Sequence, residues 1–119
     1  MRKTVLFVLA TLATAAPALA APDRSVDRTG YSAIAAGDFA TAEQRIVAER
    51  RIFPQRPELM LNLASVYQRT GRPAAARALY AAVLDRPAVG MDMPSGAVVS
   101  SHDLASRALS RQATQIATR

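Results

Sequence analysis

Gly37 is followed 34 residues later by Gly71, and the same offset relates Gly30 to Ala64, Ala42 to Ala76, and Ile46 to Tyr80. A repeat of this length constrains the chain more than any other feature. Each unit is one supersecondary element that buries its apolar face only by stacking on a neighbour. Gly37-Asp38-Phe39 and Gly71-Arg72-Pro73 mark equivalent turns, so an all-α chain built of two helix-turn-helix hairpins is expected.

Local signals agree with that division. The segment Pro57 to Thr70 opens with Pro and Glu in its first turn and closes against Gly71, a good start and a good stop for a helix. Met60, Leu63, Ala64 and Tyr67 fall at i, i+3, i+4 and i+7, one face of a 3.6-residue helix. Pro73 begins the next helix, where Ala76, Leu79, Tyr80, Val83 and Leu84 make a second stripe before Pro87. The first unit follows the same plan. A helix is expected from about Ser25 to Ala36, and Asp38 caps another that runs through Ala42, Ile46, Val47 and Ile52 to Phe53-Pro54.

The pattern resembles the tetratricopeptide repeat family of 34-residue helical hairpins. In the second unit the matching residues are Leu63, Ala64, Tyr67, Gly71, Ala76, Tyr80 and Leu84; in the first they are Gly30, Gly37, Phe39, Ala42, Ile46 and Pro54. The resemblance implies two hairpins, at about 23–56 and 57–88, in a fragment of a right-handed α-solenoid. It departs from the family where Thr29 and Ala33 replace larger apolar residues and where Glu49 and Val83 replace Ala. Physically, Ala42 and Ala76 let the second helix of each pair approach the first, and Gly30 and Ala64 accept that approach. A bulky side chain there would wedge the hairpin open.

Residues 1–20 read as an address. Met-Arg-Lys precedes a 13-residue apolar run, Thr4 to Ala16, and then Pro17-Ala18-Leu19-Ala20, the three-part layout of a secretory signal peptide. Cleavage is expected after Ala20, where Ala18 and Ala20 supply an A-x-A site; the alternative is an uncleaved anchor. The run falls short of the roughly 20 residues that span a bilayer. A periplasmic or secreted location follows as the expectation. Without residues 1–20 the formal charge drops from +6 to +4, and every remaining basic residue is Arg. Uniform Arg usage is a compositional trend and not by itself an electrostatic footprint, and a secreted chain rarely meets its own genome, so nucleic acid is not expected as a partner. With no Cys and one His, disulfides, thiol nucleophiles and thiolate metal sites are excluded, and no cofactor is implied.

After the repeats, Pro87, Gly90, Pro94 and Gly96 interrupt any helix, so a loop of roughly 15 residues is expected from Asp85 to Val99, with residues 89–100 as the segment that separates the repeats from the last helix. Its Met91 and Met93 offer an adaptable apolar contact or two soft ligands for copper(I), too few to define a metal site. Residues 101–119 then form a closing helix. Ser100 and Asp103 have the spacing of a capping box, and Leu104, Ala105, Ala108, Leu109 and Ile116 form its apolar stripe. Two repeats leave an open face; this helix covers it, and a homodimer is the other way to do so. His102 with Asp92 or Asp103 and Ser95, Ser100 or Ser101 is the one constellation from which a small hydrolase could be built. No nucleophile elbow accompanies it, so no catalytic residue is assigned and His102 is expected to face water on the first turn.

The resemblance implies a groove lined by the first helix of each hairpin, which receives a peptide or a partner helix. The matching positions are Arg24, Asp27, Tyr31, Ile34 and Ala35, then Glu58, Leu61, Ser65, Gln68 and Arg69. Tyr31 and Arg69 are the expected energetic anchors by residue type. The function expected is a non-enzymatic adaptor or scaffold in the bacterial envelope that binds a protein. The alternative is a peripheral binder of anionic envelope surfaces through Arg45, Arg50, Arg51 and Arg56. Arg45 and Glu49 are also spaced as an i,i+4 ion pair.

Overall fold

A computed structural model describes residues 27–118. The expected leader, Arg24 and the expected helix start at Ser25 lie outside the described residues. Within them the chain forms five helices and one small hairpin: α1 (Tyr31–Ala35), α2 (Phe39–Arg50), α3 (Pro57–Arg69), α4 (Pro73–Leu84), β1 (Gly90–Asp92), β2 (Val98–Ser100) and α5 (Ser101–Ala117). The all-α reading holds, with a minor β-hairpin added.

The two turns of the repeat are built alike. Gly37 and Gly71 both adopt φ +76°. The Asp38 N–H donates to the Ala33 carbonyl at 2.9 Å, and 34 residues on the Arg72 N–H donates to the Tyr67 carbonyl at 2.8 Å. This bond, made across a left-handed residue, is the helix-ending Schellman arrangement. The Asp38 side chain then accepts from the Thr41 N–H at 3.2 Å to start α2, while Pro73 at the first position starts α4.

α1 is shorter than the expected Ser25 to Ala36. Asp27 to Gly30 form a turn, and Gly30 at φ +71° cannot continue a helix. The Asp27 carboxylate accepts from the N–H groups of Ser32 at 2.8 Å and Ala33 at 3.3 Å, which supplies α1 with the acceptors that an absent preceding turn would have provided. α2 also stops early, at Arg50, so Ile52 and Phe53 lie in the turn that follows. Arg45 pairs with Asp27 rather than with Glu49.

α3 is the central helix and is buried on two sides. Leu59, Leu63 and Val66 pack with Ala33, Ala42 and Ile46; Met60, Leu61 and Ala64 pack with Ala76, Tyr80, Val83, Ala105 and Ala108. The expected single stripe was too narrow because α3 is flanked by α1 and α2 on one side and by α4 and α5 on the other. Ala42 and Ala76 have no exposed surface. An Arg72 fork to Glu43, at 2.8 and 2.6 Å, joins the second turn to α2.

The segment expected as an uninterrupted loop pairs instead, in antiparallel register with Met91 opposite Val99. The Met93 N–H donates to the Ala97 carbonyl at 2.8 Å and the Gly96 N–H to the Met93 carbonyl at 2.9 Å, with Gly96 at φ +84°. Pro94 and Gly96 thus occupy the positions that close a short hairpin. Its far end is tied to α5: the Val89 N–H donates to Ser101 Oγ at 3.0 Å and the Ser101 N–H to the Val89 carbonyl at 2.8 Å. Ser100 caps α5 by accepting from the His102 N–H at 3.2 Å.

Candidate functional site

The hairpin, the N-terminal halves of α1 and α3, and the start of α5 enclose an open cleft of about 460 Å³. α1 and the turn before it contribute Thr29, Tyr31 and Ser32; α3 contributes Glu58, Leu61 and Asn62; the hairpin contributes Met91, Asp92, Met93 and Pro94; α5 contributes Leu104. The helical spacing of Glu58, Leu61 and Asn62 places them on one face of α3. Leu61 is buried, and Met91 and Leu104 pack against the same core cluster, so the floor is apolar. Tyr31 is 51% exposed and stands at the rim with the carboxyl groups of Glu58 and Asp92. Asn62 Nδ2 donates to the Thr29 carbonyl at 2.9 Å, fixing the two first helices relative to each other at this site.

Tyr31, Glu58 and Leu61 are the candidate groove residues that this cleft brings together. The others have different work. Asp27 is not a contact residue: it is 7% exposed and its oxygens serve α1 and Arg45. Ile34 packs against the cluster of Ala33 and Ile46. Ser65, half-buried further along α3, does not line the cleft. Gln68 is covered by α5, where Gln112 Nε2 donates to its side-chain oxygen. Arg69 lies with its guanidinium 5.7 Å from the Phe39 ring centroid, on the side of α3 that faces α2. α3 turns its C-terminal half toward these neighbours, so the continuous groove expected from Tyr31 to Arg69 is confined to the N-terminal half.

Sequence reasoning did not place Met91, Met93, Asn62 and Leu104 in the site. The missed signal was Met93-Pro94-Ser95-Gly96, a Pro and a Gly at hairpin-turn spacing between the short apolar stretches Val89 to Met93 and Ala97 to Val99. Thioether side chains are flexible and polarizable, which suits the one wall of the cleft that a hairpin rather than a helix supplies.

His102 does not face water. It is half-buried, and its Nε2 lies 2.5 Å from the Arg86 carbonyl oxygen; since that oxygen only accepts, Nε2 carries the proton. Ser100 Oγ and Ser101 Oγ each accept from a main-chain N–H. These three side chains therefore anchor the base of α5. Among the described residues no group of three or more His, Cys, Asp or Glu comes together. Electrostatic perturbation is concentrated elsewhere: the Arg72 guanidinium holds the Glu43 carboxyl below its usual range, hydrogen bonds from Thr41 lower that of Asp38, and burial raises the Tyr80 hydroxyl.

Residues 33–88 match the family model described as tetratricopeptide repeat. That segment carries the tetratricopeptide repeat, a class of helical repeats that generally mediates protein–protein interaction and is typically non-enzymatic. No curated protein and no solved structure gave a match.

Proposed function

We propose that this protein is a non-enzymatic adaptor of the bacterial envelope, exported by its leader and cleaved after Ala20, that holds a short segment of a protein partner in the cleft between α1, α3 and the β-hairpin. The observation that carries the reading is the cleft itself: an open, apolar-floored trough with a polar rim, formed at the N-terminal halves of the two first helices. Its size and lining suit a few side chains of a peptide or one face of a helix. Leu61, Met91 and Leu104 supply the apolar floor, and Tyr31 supplies an amphipathic anchor at the edge. Export is supported by the sequence layout of residues 1–20, whose apolar run ends in Ala18-Leu19-Ala20.

A random peptide library selected on the immobilised protein tests the reading. Enriched peptides are expected to bind the wild type and to lose about tenfold in affinity to Tyr31→Ala or Met93→Ala, the loss expected on truncating an anchor, with thermal melting unchanged. Peptides that bind both variants as tightly as the wild type would place the binding surface elsewhere.

A further inference from the structure

The turn between α2 and α3 presents an apolar pair among cations. Residues 50–56 read Arg-Arg-Ile-Phe-Pro-Gln-Arg, with three arginines and no acidic residue. Ile52 is 68% exposed and Phe53 45%. Main-chain bonds hold them out: the Ile52 and Phe53 N–H groups both donate to the Glu49 carbonyl at 3.0 Å, and the Arg56 N–H donates to the Phe53 carbonyl at 3.3 Å. The turn is therefore a closed knuckle with an ordered apolar tip. The Arg56 guanidinium lies 5.7 Å from the Phe53 ring centroid, Arg50 Nη2 donates to the Pro54 carbonyl at 3.4 Å, and Arg51 is exposed. Glu58, 3.8 Å from Arg56, is the acidic group nearest to these cations on the α3 side, and Glu49 sits back in the last turn of α2.

This combination selects among occupants. A nucleic acid would use the arginines and a stacking ring but has no use for an exposed Ile. A second copy of the tip would bring three more arginines against these three, and like charges repel. An anionic bilayer uses both parts, because apolar side chains enter the acyl boundary while guanidinium groups remain at the level of the phosphates and pair with them bidentately. We propose that the α2–α3 turn docks the protein on anionic lipid bilayers, with Ile52 and Phe53 inserting and the exposed Arg51 and Arg56 binding headgroup phosphates, while Arg50, half-buried and bonded to the Pro54 carbonyl, braces the turn. Arg45 takes no part, since Asp27 holds its guanidinium. The contact is one-sided: no helix among the described residues is long and apolar enough to cross a membrane. The turn meets the cleft at the Arg56–Glu58 pair, but Arg51 and Ile52 do not line the cleft, so variants at these two positions test the turn without touching it.

The test is co-sedimentation of the full chain with vesicles of phosphatidylcholine and phosphatidylglycerol, with the full chain carrying Arg2→Gln and Lys3→Gln, and vesicles of phosphatidylcholine alone, measuring the charged and apolar contributions of residues 1–20. Wild type is expected to partition into the mixed vesicles in a way that weakens steeply as salt is raised. Arg51→Gln is expected to weaken partitioning about fivefold, the effect of one cation near an anionic surface. Ile52→Ser is expected to weaken it at high salt as well as low, because insertion is not screened. Both side chains are exposed, so neither variant should alter thermal melting. Equal partitioning of wild type and both variants into the mixed vesicles would overturn the proposal. So would light scattering that shows self-association without vesicles, abolished by Ile52→Ser.

Discussion

Gly30 lies directly against Ile46: a Cβ built on Gly30 would stand 2.7 Å from Ile46 Cγ1 and 3.3 Å from the Ala42 carbonyl oxygen. This contact lets α2 close on the turn before α1, and it sits in a left-handed backbone, at φ +71°. Gly30→Ala is expected to cost about 2–4 kcal/mol, from overpacking together with the φ penalty. At Gly37 the added methyl meets nothing within 4 Å, so Gly37→Ala should cost about 1–2 kcal/mol, the φ term alone. Denaturant unfolding of the two variants measures both, and equal losses would show that the Gly30 approach is not tight.

Asp27 links the turn before α1 to α2 through its ion pair with Arg45. Asp27→Ala removes that pair and the acceptors for Ser32 and Ala33, and is expected to destabilise by about 2 kcal/mol, the upper range for loss of a helix-capping carboxylate. Arg45→Gln should cost less, because it leaves the main-chain acceptors in place. Thermal melting of the two variants distinguishes them, and the reverse order would mean that the ion pair dominates.

Acid should weaken the joint between α2 and the second turn. The Glu43 carboxyl is lowered from its ordinary value of 4.5 by its hydrogen bonds to Arg72. A carboxyl with a depressed folded-state pKa stabilises fully above its unfolded value and loses that contribution as pH falls through the lowered one. Stability should therefore decline as pH drops below about 4.5, and Glu43→Gln should show a shallower decline. Unfolding midpoints across that range provide the check. Asp38, lowered by Thr41, keeps part of the slope in the variant, and added salt should narrow the difference.

The last helix is expected to act as a lid on the core. Ala105 has no exposed surface and packs among residues of α3 and α4, and Gln112 Nε2 also donates to the Pro73 carbonyl at 3.2 Å. Ala105→Leu should cost about 1–3 kcal/mol by overpacking and should speed amide exchange throughout α5. Unchanged exchange would mean that α5 packs independently of that contact.

Much of the framework is legible in the 34-residue offset, because Gly37 and Gly71 are needed for the same left-handed position and Ala42 and Ala76 for the same close approach. The site was legible only in part. Tyr31 and Leu61 follow from repeat position, whereas Asp27 and Gln68 occupy groove positions but are engaged by tertiary partners, Arg45 and Gln112, that lie far away in sequence. Met91 and Met93 were visible as an apolar contact with no location. The pairing of β1 with β2 brings them to the cleft, and three-residue strands leave almost no periodicity to read.

The central claim is that a protein segment enters the cleft beside Tyr31. A photo-crosslinking amino acid placed at position 31, and in a second sample at exposed Ala81 on α4, tests it in intact cells with mass-spectrometric identification of the adducts. The account predicts a discrete partner segment captured from position 31 and absent from position 81. The same adducts from both positions, or none from position 31, would contradict it.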